Sequence, residues 1–243
     1  MDIALDLTAK PGKRLRVPDG LNVTHVLHDR SVRKDLAGKH RPRFSRALAT
    51  GDYDYYAYFP NDLNVTAEAL DALCAWQAPL AGTNMMVGLL RWEARKDGPS
   101  PRKLLNDQAL CCPPHLGGVV TVGGHRLMVP TNPHFAAWFL SAARLRCMLQ
   151  RLATSNETAA DWTVPPSSHT QSLEYYEGLW LMPWLIKVVP LDDYDHLLAR
   201  HLSDKYARTT SIRMTDADAL RKAAESFSGF EPVTLAGPGV RGR

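Results

Sequence analysis

Apolar positions along the chain come in short runs broken by turn-forming residues, and most of the runs carry the two-residue period of a strand. Residues 3–7 (IALDL) and 21–27 (LNVTHVL) predict two strands, separated by a loop at 10–20 that contains lysine, proline and glycine. Residues 28–39 are polar and basic, and 41–48 predict a short helix. The next run, 53–59, is dense in tyrosine and ends in phenylalanine, residues that favour a pleated, largely buried strand. Pro60 and Asn61 stop it, because proline cannot donate to a sheet ladder and asparagine favours turns. Thr66 then caps a helix over 66–77, with Glu68 and Asp71 at its positive end and Leu70, Leu73 and Cys74 along one face.

Further on, 85–94 (MMVGLLRWEA) predicts one strand, in which Arg91 and Glu93 alternate with Leu90 and Trp92 as on a half-exposed surface. Residues 95–116 read as loop. Two apolar strands at 119–122 and 125–129 flank Gly123-Gly124, a strong hairpin signal. Ser141 caps a basic helix running to about 152, and 169–180 read as another helix, broken at Gly178 and Pro183. A strand at 185–189 precedes Asp192 and Asp193, which open a helix to about 202. Thr215 caps a last amphipathic helix. The expected fold is a single α/β domain over 1–235, a mixed central sheet flanked by helices with 53–59 at its centre, and a disordered tail at 236–243.

Composition narrows the class without naming a function. A hydrophobic fraction of 45% and a charged fraction of 22% are ordinary for a globular chain. No apolar run approaches the ~18 residues that a membrane span needs. The N-terminus lacks the basic region and apolar core of a signal peptide, so a cytoplasmic location is the default expectation. The N-x-T sequons at Asn22, Asn64 and Asn156 point instead to a secretory lumen, should the chain be a piece of a longer protein. Cys74, Cys111, Cys112 and Cys147 show no paired CxxC spacing and read as reduced thiols or core fillers. Eleven lysines and arginines crowd residues 10–46, which favours an anionic ligand such as phosphate over nucleic acid or a membrane surface.

Phosphate-loop, zinc-protease and nucleophile-elbow motifs are absent. Gly237, Gly239 and Gly242 match G-x-G-x-x-G, but no helix follows them to receive a pyrophosphate. The remaining candidates are dispersed. Asp62 follows the 53–59 strand, where open α/β sheets bind ligands, although local pattern alone favours a plain turn cap. Arg91 and Glu93 end a strand and also suit a surface pair. Asn132 and His134 lie in the PTNPH loop, Asp192 and Asp193 begin a late helix, and His201, Asp204 and Lys205 lie at its end. For His201 the plain alternative is a satisfied core histidine, and for Lys205 a solvated salt bridge.

Five stretches in order carry a resemblance: LAGKHRPRFSRAL (36–48), DYDYYAYFPNDLNVTAEAL (52–70), GLLRWE (88–93), VVTVGGHRLMVPTNPHFAAWFLS (119–141) and LIKVVPLDDYDHLLARHLSDKY (185–206). Together they resemble a poorly characterised group of glycosyltransferase-like proteins with the A-type glycosyltransferase fold. The resemblance implies a nucleotide-diphospho-sugar-transferase-like domain, N-terminally short of its first nucleotide-binding unit. It implies transfer of a sugar from a nucleotide-sugar donor to a hydroxyl on a carbohydrate or glycoconjugate acceptor, with no nucleic acid partner. On that reading Asp62 and His201 bind a divalent cation, Mn or Mg, and Lys205 binds the pyrophosphate. Arg91, Asn132 and His134 contact donor or acceptor, and Glu93 or Asp193 is the base.

The group's acidic triplet is Pro60-Asn61-Asp62 here, so metal affinity is expected to fall, since a hard cation wants several anionic oxygens. A second class therefore stays open, a relative that keeps the fold and binds a carbohydrate or protein partner without catalysis. Nucleic-acid binding through the basic N-terminal segment ranks third, because the aromatic residues cluster away from it.

Overall fold

A computed structural model describes residues 4–9, 22–27, 41–60, 62–95, 102–105, 116–130, 137–154, 185–202 and 215–227. They form a mixed α/β structure whose sheets are flanked by helices. Chain contacts divide it into two compact units.

In the first unit, β1 (Ala4–Ala9) pairs in parallel with β2 (Asn22–Leu27), in unbroken register from Ala4 opposite Asn22 to Ala9 opposite Leu27. Helices α1 (Arg41–Thr50) and α3 (Ala142–Thr154) belong to the same unit. Leu48, Tyr56, Leu145 and Met148 are buried there, and Arg146 donates to the Leu48 carbonyl at 3.3 Å. The run at 53–59 yields only a four-residue strand, β3 (Tyr55–Tyr58), outside both larger sheets, so the expectation of a central strand there does not hold. Its burial explains why: Tyr53 and Tyr55 are exposed, so the aromatic run has no continuous buried face.

The second unit holds two sheets. One has the order β5 (Met85–Val87), β11 (Ile186–Pro190), β9 (His125–Pro130) and β8 (Leu116–Val122). Its hairpin turns at Gly123 and Gly124, whose φ values of 58° and 85° are the left-handed conformation that a two-residue connection requires. The other has the order β13 (Thr215–Asp216), β7 (Arg102–Leu105), β6 (Leu90–Arg95), β12 (Leu198–His201) and β4 (Leu63–Asn64). Strand β10 (Trp138–Ser141) completes the unit with helices α2 (Ala67–Ala75) and α4 (Ala217–Ser226).

Both helices are capped as capping chemistry dictates. Thr66 accepts from the Ala69 amide and Asp216, not Thr215, accepts from that of Ala219. A continuous core of leucine, valine and methionine joins the two sheets and both helices, with Leu90, Leu105, Leu127, Met128, Val188 and Val189 fully buried. At about 0.8 kcal/mol per buried methylene, this is the main force holding the sheets together.

Two expectations are corrected here, and both corrections build the site. The single strand at 85–94 is two, because Gly88 interrupts it: its amide bonds to Val188, while Leu90 bonds to Leu197. The helix at 192–202 does not form. Asp192 to Leu197 are turns, and Leu198 to His201 become β12, pinned between two strands. The helical spacing of Leu197, Leu198 and His201 is overridden by ladder hydrogen bonds on both sides.

Candidate functional site

Three side chains that lie far apart in sequence meet at one end of the five-stranded sheet. Strand β12 runs parallel to β6 with Arg200 opposite Trp92, which brings His201 level with Glu93. On its other side β12 runs antiparallel to β4 with His201 opposite Leu63, one residue past Asp62. The Leu202 amide donates to the Asp62 carbonyl at 2.8 Å and fixes that turn.

The result is a carboxylate, an imidazole and a second carboxylate in line. His201 Nδ1 lies 2.5 Å from Glu93 Oε1, and Nε2 lies 3.0 Å from Asp62 Oδ2. Glu93 and His201 are 0% and 2% exposed, whereas the Asp62 side chain is 45% exposed. The line therefore runs from the interior to the surface and ends in an open carboxylate.

Two hydrogen bonds require two protons shared among three groups. The protons can sit on an imidazolium between two carboxylates, or one can move to either carboxyl beside a neutral ring. Every arrangement carries one net negative charge.

Asp62 and His201 by themselves supply only part of a divalent cation's shell, the rest of which would fall to waters and substrate phosphates. Asp62 and His201 are two donors bonded to each other, and hard cations take about six oxygen ligands. Among the described residues no group of three or more His, Cys, Asp and Glu could hold a metal ion.

Of the other expected site residues, Arg91 and Asp193 are described, and both sit outside this line. Arg91 lies two residues before Glu93 on β6, on the same face of the strand, and is half-buried. Asp193 belongs to a different cluster: its Oδ2 accepts from Trp76 Nε1 at 2.7 Å and its Oδ1 lies 3.4 Å from His196 Nδ1. Asn132, His134 and Lys205 lie outside the described residues.

Sequence reasoning overlooked the partners of Asp192 and Asp193. His125 Nδ1 lies 2.8 Å from Asp192 Oδ2, and the Trp76 ring meets the His125 ring edge-on at 5.1 Å. Nothing local marks these pairs, which span 49 to 117 positions of chain. Tyr194, in the same turn, is buried and donates to the Ala217 carbonyl at 2.8 Å, and burial pushes its hydroxyl up from the ordinary value.

Comparison with known proteins adds no name to this geometry: no family model, no curated protein and no solved structure matches the chain.

Proposed function

We propose that the Asp62–His201–Glu93 line is a general-base site that activates a hydroxyl for group transfer. The reaction we assign is glycosyl transfer from a nucleotide-sugar donor, on the nucleotide-diphospho-sugar-transferase-like fold that the sequence motifs resemble. One observation carries this reading: a buried, carboxylate-held histidine stands behind an open carboxylate. A base must be accessible and must have somewhere to pass charge, and the line supplies both.

Asp62 is the catalytic residue in this reading. It takes the proton of the acceptor hydroxyl while the acceptor oxygen attacks the anomeric carbon. The bond from that carbon to the diphosphate oxygen breaks, and the nucleoside diphosphate leaves with the electron pair. His201 and Glu93 are positioning residues: they orient Asp62 and adjust to its new proton by shifting the two they share. Glu93, fully buried, acts through His201 in place of meeting substrate itself.

The test is calorimetric titration of UDP and GDP into the protein, with and without manganese, followed by a transfer assay with the matching nucleotide sugars. Nucleotide binding in wild type and Asp62→Asn alike, with turnover only in wild type, supports the reading. Absence of nucleotide binding and of turnover overturns it.

One feature favours a second reading, a non-catalytic relative that binds a carbohydrate or protein. Both ring nitrogens of His201 are already engaged, so the line also works as a buried fastener for β4, β12 and β6. Glycan binding that survives Asp62→Asn, without turnover, would favour it.

A further inference from the structure

Alternation along the strands sorts the charged side chains of the five-stranded sheet onto opposite faces. Glu93 and His201 share one face, and Asp216 joins them because Glu93 and Asp216 both pair with Leu104. Trp92 lies on the other face, directly opposite Leu105 on β7 and Arg200 on β12, and Lys103 follows on β7 two residues from Leu105. Among the described residues of these strands, that second face carries Lys103 and Arg200 and no carboxylate.

The two cations frame the indole. The Lys103 ammonium lies 5.4 Å from the Trp92 ring centre and the Arg200 guanidinium 5.7 Å. They come from the strands on either side of β6, two strand spacings or roughly 10 Å apart. Trp92 and Arg200 are half-buried, while Lys103 and Asn64, which pairs with Arg200, are exposed.

We infer that this face binds single-stranded nucleic acid, one base stacking on Trp92 and the phosphates on either side of it meeting Lys103 and Arg200. An indole offers a stacking surface to any base, and flanking cations track the backbone. Cations from the strands on either side of the indole match the phosphates before and after a stacked nucleoside. A free nucleotide carries its phosphates on one side and leaves one cation unmatched. The incoming base takes the place of Lys103 over the ring, and the exposed ammonium swings to the phosphate. This stacking platform draws its cations from two strands remote in sequence and does not involve the basic N-terminal segment. It stands on the opposite face from the proposed base and does not depend on it.

Fluorescence anisotropy of a labelled oligouridine with the full chain, across a salt series, tests the inference. Binding is expected at low salt. Trp92→Ala weakens it by about tenfold or more. Lys103→Ala and Arg200→Gln each weaken it and reduce the salt slope by about one. Trp92 packs against the core, so if Trp92→Ala fails to fold, the exposed Lys103 and its partner Arg200 decide the matter. The inference is overturned if folded wild type does not bind, or if both cation variants bind as wild type does. It is equally overturned if a duplex binds as tightly as the single strand, or if free UMP competes as well as the oligonucleotide.

Discussion

His201 Nδ1 lies 2.5 Å from Glu93 Oε1, and both side chains are buried, in a sheet whose parallel register brings them level. Taking a partner from a buried, hydrogen-bonded pair leaves a polar group stranded in a medium that cannot solvate it. Glu93→Ala should therefore cost about 3–5 kcal/mol of folding stability. Asp62, being 45% exposed, should cost only about 1 kcal/mol when replaced by alanine, because water can replace it. Urea titration of the two variants checks this ordering, and equal losses would contradict it.

Catalysis should rank the same residues in the opposite order of exposure. Asp62→Asn is expected to lower the transfer rate by about 10²- to 10⁴-fold, the usual contribution of a general base, with nucleotide affinity unchanged. Glu93→Gln should act through His201, lowering the rate more than the affinity for donor. A rate assay, run beside nucleotide calorimetry, checks both outcomes.

Tyr194 sets an alkaline limit on stability. Burial foremost, with the nearby carboxylates of Asp218 and Asp195, holds its hydroxyl above the ordinary value of 10.0. The folded state thus keeps the proton more tightly than the unfolded chain. That contribution is complete below pH 10.0 and drains away as pH rises towards the folded-state value. Tyr194→Phe should flatten the alkaline limb of a thermal-stability profile. At neutral pH it should cost about 1 kcal/mol for the lost bond to Ala217. An unchanged alkaline limb would refute the assignment.

Arg126 closes the C-terminal end of α4. Its guanidinium donates to the carbonyls of Ala224, Glu225 and Phe227, at 2.9, 2.9 and 3.0 Å. These carbonyls lie at the negative end of the helix, where a cation is favoured electrostatically as well. Arg126→Ala should cost about 1–3 kcal/mol and raise amide exchange in the last turn of α4 before it does so in β9. Uniform exchange across both elements would argue against a local cap. Lysine, with a single ammonium in place of a planar fork, should restore only part of the loss.

Particular elements show why some of this was legible in the sequence. The hairpin at Gly123-Gly124 and the capped helix after Thr66 follow from residues within a few positions of one another, and both form. The late helix expected at 192–202 does not form, because β12 gains ladder partners from β6 and β4 that local spacing cannot reveal. Asp62, His201 and Glu93 could each be picked out as chemically capable residues. Their order in space, with Glu93 innermost and Asp62 at the surface, could not.

The sequence by itself determined the α/β class, the residue types able to move a proton, and most local turns and caps, since these depend on short-range backbone preference. Tertiary structure alone decided that Glu93, His201 and Asp62 meet in one hydrogen-bonded line and that Lys103 and Arg200 flank Trp92. Strand register made those choices: ladder hydrogen bonds and a common buried core align residues a hundred positions apart, and one step of slippage would send each side chain to the opposite face.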